Sequence, residues 1–178
     1  IMENKSELYG VEYLVYKKIE TLINSNEANW DETSKTYWTS KVNKAIIELG
    51  ESLNFTIYCS EIGDINNSEW IYDIIWSKDD VDEYGKKNWR KFKGLGLICE
   101  VEWGWGDRIL EDFTKLTVGD ADYRVMVVNH DENYPNHFEE IKNLCVDATK
   151  YRFNNYKYLL ISIPWHDPRN LEYFNWIH

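Results

Sequence analysis

The sequence predicts an α/β fold of three layers (α/β/α), in which helices cover both faces of a mixed central sheet. Segments with the 3.6-residue periodicity of amphipathic helices alternate along the chain with short runs rich in β-branched and aromatic residues. The chain has 178 residues, 43% of them hydrophobic and 16% aromatic, which is enough for one well-packed domain over residues 1–178.

Two helices are expected first, and residues 1–39 are predicted to form an N-terminal helical layer. Residues 7–23 place apolar side chains at helical spacing, and residues 24–29 are a polar break. Residues 40–53 form a second amphipathic pattern, with Ser40 in the position of an N-cap.

Three strands should follow. The first two are predicted at residues 55–60 and 70–76, joined by a turn around residues 63–67. The second is an almost unbroken apolar run that only Asp73 interrupts, so we expect it to be buried on both faces. Residues 79–87 are predicted to be a charged loop, and the third strand covers residues 96–103.

The remaining chain continues the alternation. Helices are predicted at residues 107–117 and 135–151, and strands at residues 123–129 and 156–163. The aromatic tail after residue 164 is expected to pack over an edge of the sheet. Residues 40–129 would form the core of the domain, and residues 130–178 a C-terminal extension of helix and strand.

The third strand carries two acids on one face. Its period of 2 sets Glu100 and Glu102 beside Ile98, with their carboxylates about 7 Å apart, and turns Cys99 and Val101 to the other face. Side-by-side acids repel and are costly to bury, so they indicate either a solvated face of the sheet or a metal site. Asp73 adds a third acid, within an otherwise apolar strand. Either a bound ligand or a turn that the acid caps at the end of the strand would explain its presence there.

The order helix, strand, strand, strand, helix, strand over residues 40–129, together with these acids, resembles the core of the PD-(D/E)XK nuclease superfamily. This is the restriction-endonuclease-like fold of many type II enzymes. Asp73 would match the Asp of that family's second strand, and Glu100 the first acid of its third-strand motif. Glu102 stands where the motif normally has lysine, which is similar to a Glu-x-Glu variant known among restriction enzymes.

The resemblance implies a metal-dependent endonuclease that hydrolyses the phosphodiester bonds of DNA. Asp73, Glu100 and the backbone carbonyl of Val101 would bind Mg²⁺ or Mn²⁺, and Glu102 would orient or deprotonate the attacking water. Lys115 is the candidate for a lysine that has moved to the adjacent helix, although an i,i+4 ion pair with Glu111 explains it equally well.

The family's first-helix acid has two candidates here, Glu48 and Glu51. Glu51 is the more suggestive of the two because a carboxylate near the C-terminus of a helix is unfavourable by the helix dipole. It therefore joins Asp73, Glu100, Glu102 and Lys115 as a predicted catalytic residue.

The formal net charge of −11 argues against a general attraction to nucleic acid, but cations concentrate locally in residues 86–93. This basic and aromatic segment either contacts DNA or forms a solvated amphipathic surface. The predicted contact residues are Lys87, Trp89, Arg90, Lys91 and Lys93.

Other patterns limit the alternatives. No apolar run approaches the roughly 20 residues of a membrane span, and three cysteines without metal-like spacing indicate reduced, buried thiols in a cytoplasmic protein. The four histidines lack the spacing of a zinc site. A second hypothesis remains open, in which a catalytically inactive acidic domain of the same fold binds a protein partner as an accessory or immunity protein. The sequence also leaves open a homodimer.

Overall fold

A computed structural model describes residues 8–25, 34–59, 71–81, 87–152 and 155–178, without the side chains of residues 80, 81 and 87–91. The predicted turn at residues 63–67, Trp70 and Lys86 lie outside the described residues. The described helices are α1 Gly10–Ile23, α2 Lys35–Ser52, α3 Asp107–Val118 and α4 His137–Thr149. The described strands are β1 Thr56–Cys59, β2 Ile74–Val81, β3 Lys87–Glu102, β4 Ala121–His130, β5 Lys157–Pro164 and β6 Glu172–Ile177.

The six strands form one mixed sheet in the order β1-β2-β3-β4-β5-β6. Strands β1 to β3 are antiparallel neighbours, β3 to β5 are parallel, and β6 returns antiparallel to β5. The connections from β3 to β4 and from β4 to β5 contain α3 and α4, as parallel neighbours require. The predicted α/β class is therefore confirmed, as is the order of elements from α2 to β4.

Helices cover both faces of the sheet, and the alternation within β3 separates the two layers. Leu97, Cys99 and Val101 pack with apolar residues of α1 and α2, such as Val15 and Ile46. We call this the α1–α2 face. The intervening Ile98 packs against residues of α3 and α4, including Ile109, Phe113 and Ile141, on the α3–α4 face. The assignment of Ile98 and Glu100 to one face of the strand was thus correct.

The predicted start of α2 was wrong. The helix begins at Lys35, and the Oγ of Ser34 accepts a hydrogen bond of 3.3 Å from the backbone N–H of Tyr37. Ser40 lies inside the helix. The earlier start extends the buried stripe of the helix by Thr39, whose hydroxyl accepts a hydrogen bond from the Trp103 indole.

The predicted bounds of β2 and β3 were also wrong. Strand β2 begins at Ile74, so Asp73 lies in a bend before the strand, and β2 continues into the supposed charged loop. Asp79 is accommodated there because its carboxylate accepts hydrogen bonds from Tyr58 Oη (2.9 Å) and Ser77 Oγ (2.7 Å). Its partner strand β3 extends back to Lys87, and this places the predicted DNA-contact segment within a strand.

The C-terminal aromatic tail forms the edge strand β6 instead of packing over an edge. Reciprocal backbone hydrogen bonds between Tyr156 and His178, of 2.7 and 3.1 Å, extend its pairing with β5. The cysteines are all buried and none forms a disulfide. Within the described ranges, none of the helices combines the length and apolar character that crossing a membrane requires.

Candidate functional site

Asp73 and Glu100 meet at the edge of the α3–α4 layer. Glu100 lies in β3 and is only 2% exposed, while Asp73 directly precedes Ile74, the first residue of β2, which pairs with Cys99. The Oδ2 of Asp73 accepts a hydrogen bond of 2.8 Å from the backbone N–H of Val101. The two carboxyl groups also share a hydrogen bond, so the separate strands bring the first two predicted acids into contact.

Burial and mutual repulsion leave this pair with a proton. Desolvation, followed by the charge of Asp73, raises the pKa of Glu100 to about 9, although Lys115 opposes the shift. Burial also raises the pKa of Asp73. The hydrogen bond from the backbone N–H of Val101 opposes this rise in part. Glu100 therefore holds the proton at neutral pH. Its Oε1 atom is buried and has no hydrogen-bond partner, which is a costly state for a carboxyl oxygen.

A second pair of acids lies beside the first. Glu102, at the end of β3, hydrogen-bonds Asp112 of α3, and its pKa is raised by burial and by that contact. Asp112 was missed at the level of sequence because nothing in the local pattern distinguishes it from its neighbour Glu111. The only available signal was its position three residues before Lys115, which places both on one side of a helix.

Lys115 links the two pairs. Its Nζ donates a hydrogen bond to Asp112 and lies 3.7 Å from the Oε1 of Glu100. Burial alone would lower the pKa of Lys115, but the hydrogen bond with Asp112 and the charge of Glu100 raise it overall. The lysine is therefore a cation among four acids. Within the helix, Lys115 forms an ion pair with Asp112, three residues earlier. The partner that the sequence offered as an alternative, Glu111, is exposed.

The position of α3 depends on a short turn and a buried arginine. Gly106, with φ of +37°, ends the turn that leads from β3 into the helix. At the other end, the guanidinium of Arg124 donates hydrogen bonds to the carbonyls of Leu116, Gly119 and Ala121. These contacts satisfy two carbonyls at the end of the helix that supplies Asp112 and Lys115, and that of Ala121 at the start of β4.

The structure does not bring the first-helix acids to this cluster. Helix α2 packs on the α1–α2 face, whereas Glu100 lies on the opposite face. Glu51 is exposed near the C-terminal end of α2. Glu48 forms an ion pair of 2.9 Å with Lys18 of α1, which lowers the pKa of Glu48. That acid connects two helices at the surface.

The basic segment also lies away from the acids. Lys93 is exposed seven residues before Glu100 in β3, a separation of roughly 20 Å by strand geometry. Lys87, Trp89, Arg90 and Lys91 occupy earlier positions of the same strand, and their side chains lie outside the described part of the chain.

Another polar group lies at the carboxyl ends of β4 and β5. Asp131, Glu132 and His166 each place one potential metal-ligand atom within 4.8 Å of the other two. Among the described residues, this is the only such group of three His, Cys, Asp or Glu side chains. However, the carboxylate of Glu132 already accepts backbone hydrogen bonds from His166 and Asp167. This group therefore has a structural explanation, because it holds the loop after β5 against the loop after β4.

Comparisons of the chain with protein-family models, curated proteins and solved structures find no match. The function must therefore be argued from the geometry of the two acid pairs and Lys115. In that geometry the Oε1 of Glu100 is the strongest indication of a ligand, because it lies near the ammonium of Lys115 but has no hydrogen-bond partner, and native proteins rarely leave such a buried atom without one.

Replacing Glu100 with Gln should stabilise the metal-free protein at pH 8 by about 1–3 kcal/mol. The folded state keeps a proton that the unfolded state releases, since the pKa is raised from 4.5 to about 9. The free energy of unfolding of the wild type should thus fall as pH rises through this range, by up to about 1.4 kcal/mol per pH unit. Glutamine resembles the protonated carboxyl and should remove this slope.

Urea unfolding in EDTA between pH 7.0 and 8.0 measures this slope. The upper limit stays below the pKa of about 8.5 of thiols in an unfolded chain, because burial raises the pKa of Cys99 and Cys145 and their ionisation on unfolding would add a slope of the same sign. The window avoids His130, because burial lowers its pKa below 6.5 and confines its contribution to more acidic pH. Glu111→Gln, an exposed change in α3, is the matched control and should retain the wild-type slope. An identical slope in Glu100→Gln would show that Glu100 is ionised in the folded protein.

Proposed function

We propose that this protein is a metal-dependent endonuclease that hydrolyses phosphodiester bonds in DNA. The observation that carries the proposal is that the Asp73–Glu100 pair and the Glu102–Asp112 pair both lie beside Lys115, next to a Glu100 oxygen that is buried without a hydrogen-bond partner. The choice of DNA as substrate comes from the resemblance of the chain to PD-(D/E)XK nucleases.

The donor set suits a hard divalent cation. Carboxylate and carbonyl oxygens are the ligands that Mg²⁺ and Mn²⁺ prefer, and the single positive charge of Lys115 cannot balance the carboxylates of both Asp73 and Glu100. Asp73, Glu100 and the backbone carbonyl of Val101 would hold the ion. When bound, such an ion supplies positive charge for the phosphoryl oxygens and lowers the pKa of an attacking water.

Glu102, Asp112 and Lys115 have the remaining roles in hydrolysis. Glu102 would accept a proton from the attacking water in the form where the proton of the Glu102–Asp112 hydrogen bond lies on Asp112, and its raised pKa brings it closer to the value that suits a general base at neutral pH. Asp112 hydrogen-bonds both Glu102 and Lys115, and so positions the base relative to the cation. Lys115 contacts the phosphate and balances the negative charge that develops there in the transition state.

Plasmid nicking tests this function directly. Purified wild type, Glu100→Gln and Glu111→Gln are incubated with supercoiled plasmid in low salt, with Mg²⁺, Mn²⁺ or EDTA. Wild type and Glu111→Gln should nick DNA only with a divalent ion, and Glu100→Gln should be at least about 100-fold slower because it loses a ligand of the ion. Low salt matters because few cations oppose the acidic surface.

Thermal unfolding with each ion provides the second measurement. A working site should raise the melting temperature of wild type by mass action, and Glu100→Gln should lose this response. If no ion raises it and no DNA is nicked, the nuclease proposal is wrong. The catalytically inactive, partner-binding domain would then be the better explanation of the same fold.

A further inference from the structure

A cavity of about 240 Å³ opens on the α1–α2 side of the sheet, where the parallel strands β3, β4 and β5 end. Three tryptophans line it: Trp38 from α2, Trp103 directly after β3, and Trp165 directly after β5. Ligands of α/β proteins often bind outside the carboxyl ends of parallel strands. The volume lies below the ~300–1,000 Å³ of drug-sized sites, which favours a ligand of about one or two rings.

The cavity is held in shape by the protein. The indole N–H of Trp103 donates a hydrogen bond of 2.7 Å to Thr39 Oγ1, and Lys35 Nζ donates one of 3.0 Å to the Trp103 carbonyl. The backbone N–H of Trp165 donates to the carbonyl of His130 at 2.9 Å. The next two residues of that loop are clamped by Glu132. Binding a ligand would therefore require little ordering of the walls.

Polar groups complete the lining. Asn129, near the end of β4, is only 8% exposed, and its Oδ1 is buried without a hydrogen-bond partner. A buried amide with unused hydrogen-bonding capacity is unfavourable unless a ligand or a small shift satisfies it. Arg169 also lines the cavity and supplies a guanidinium group.

We propose that this cavity binds a nucleobase that carries a phosphate. A base offers flat faces for the tryptophan rings and an edge of donors and acceptors for the amide of Asn129. Arg169 would contact the phosphate. The choice of a nucleobase among planar ligands rests on the proposed function. Trp103 directly follows Glu102 in the chain, on the opposite face of the sheet, so a strand bound at the acids would pass this edge.

Nuclear magnetic resonance can locate the ligand because the chain contains nine tryptophans, each with one indole N–H signal. The probes are dAMP, dTMP, a single-stranded dodecamer and inorganic phosphate, all in EDTA. We expect the signals of Trp38, Trp103 and Trp165 to shift with the nucleotides and the dodecamer, and not with phosphate alone. Binding of the dodecamer alone would identify a strand as the source of the base, and binding of dAMP or dTMP would identify free nucleotides.

Variants test the role of the rings. Trp165→Ala should weaken binding about 5- to 100-fold, as expected for loss of one stacking partner. Trp165→Phe should restore part of the affinity. Tyr151→Ala removes an aromatic ring that is 86% exposed at the end of α4, away from the cavity, and should bind like wild type.

The outcome separates this proposal from the nuclease proposal. Glu100→Gln should lose cleavage but keep the indole shifts, since Glu100 lies on the other face of the sheet. Indole shifts without any cleavage would support the cavity and reject the nuclease. Absence of shifts up to saturating nucleotide, or equal binding by Trp165→Ala and Tyr151→Ala, would overturn the proposed base site.

Discussion

Replacing Lys115 with Met should reduce metal-dependent DNA cleavage by about 100-fold or more, as the loss of one positioned charge-stabilising group does in other enzymes. Its ammonium group is the cation that hydrogen-bonds Asp112 and lies 3.7 Å from Glu100. Methionine keeps much of the length of the side chain and removes the charge.

Metal binding should respond in the opposite direction. Lys115 carries positive charge beside Glu100, so it competes with a divalent cation for the same acids. Lys115→Met should therefore bind Mn²⁺ as tightly as wild type or more tightly, as measured by calorimetry. Lys142→Met is the matched control, because that lysine pairs with Glu139 along α4, and it should leave both cleavage and Mn²⁺ affinity unchanged.

Two results would contradict this role of Lys115. Unchanged cleavage would show that the residue only forms an ion pair along the helix, which was the alternative explanation from sequence. Loss of both cleavage and Mn²⁺ binding would show that Lys115 shapes the acid pairs structurally.

The alternation within β3 was readable from sequence, and it predicted which face carries Glu100. The signal is local, since apolar side chains at 97, 99 and 101 must share a face whatever lies opposite. The bounds of β2 were not readable, because Lys78 and Asp79 become strand residues only through pairing with a distant segment. Local composition contains no information about that partner.

The cluster of acids and the tryptophan-lined cavity also differ in how far the sequence could predict them. Contact between Asp73 and Glu100 could be anticipated, because acids on consecutive strands become neighbours when the strands pair. The role of Asp112 depends on how α3 is rotated against the sheet, which its periodicity specifies only roughly. The cavity was not predicted, because its tryptophans come from three separate segments. Taken singly, each tryptophan is most simply interpreted as a residue of the hydrophobic core.

Replacing Arg124 with Met should destabilise the protein by about 3–5 kcal/mol, because it leaves several buried carbonyls without a hydrogen-bond donor. Arg124 is 1% exposed, and its guanidinium donates to Leu116 at 3.0 Å, to Ala121 at 2.8 Å and to Gly119. The ring of Tyr156 lies 3.3 Å from the guanidinium carbon and covers it. Methionine fills part of the space but donates no hydrogen bond.

Urea unfolding at pH 7 measures this loss, with Lys150→Met as an exposed control that should leave the free energy of unfolding almost unchanged, because its ion pair with Asp147 lies at the surface. Arg124→Lys should fall between wild type and Arg124→Met, because an ammonium group can reach only part of the same set of carbonyls. Since the carbonyls of Leu116 and Gly119 lie at the end of the helix that supplies Asp112 and Lys115, Arg124→Met should also weaken Mn²⁺ binding. A stability within 1 kcal/mol of wild type would mean that water replaces the guanidinium, and that α3 is held mainly by its apolar face.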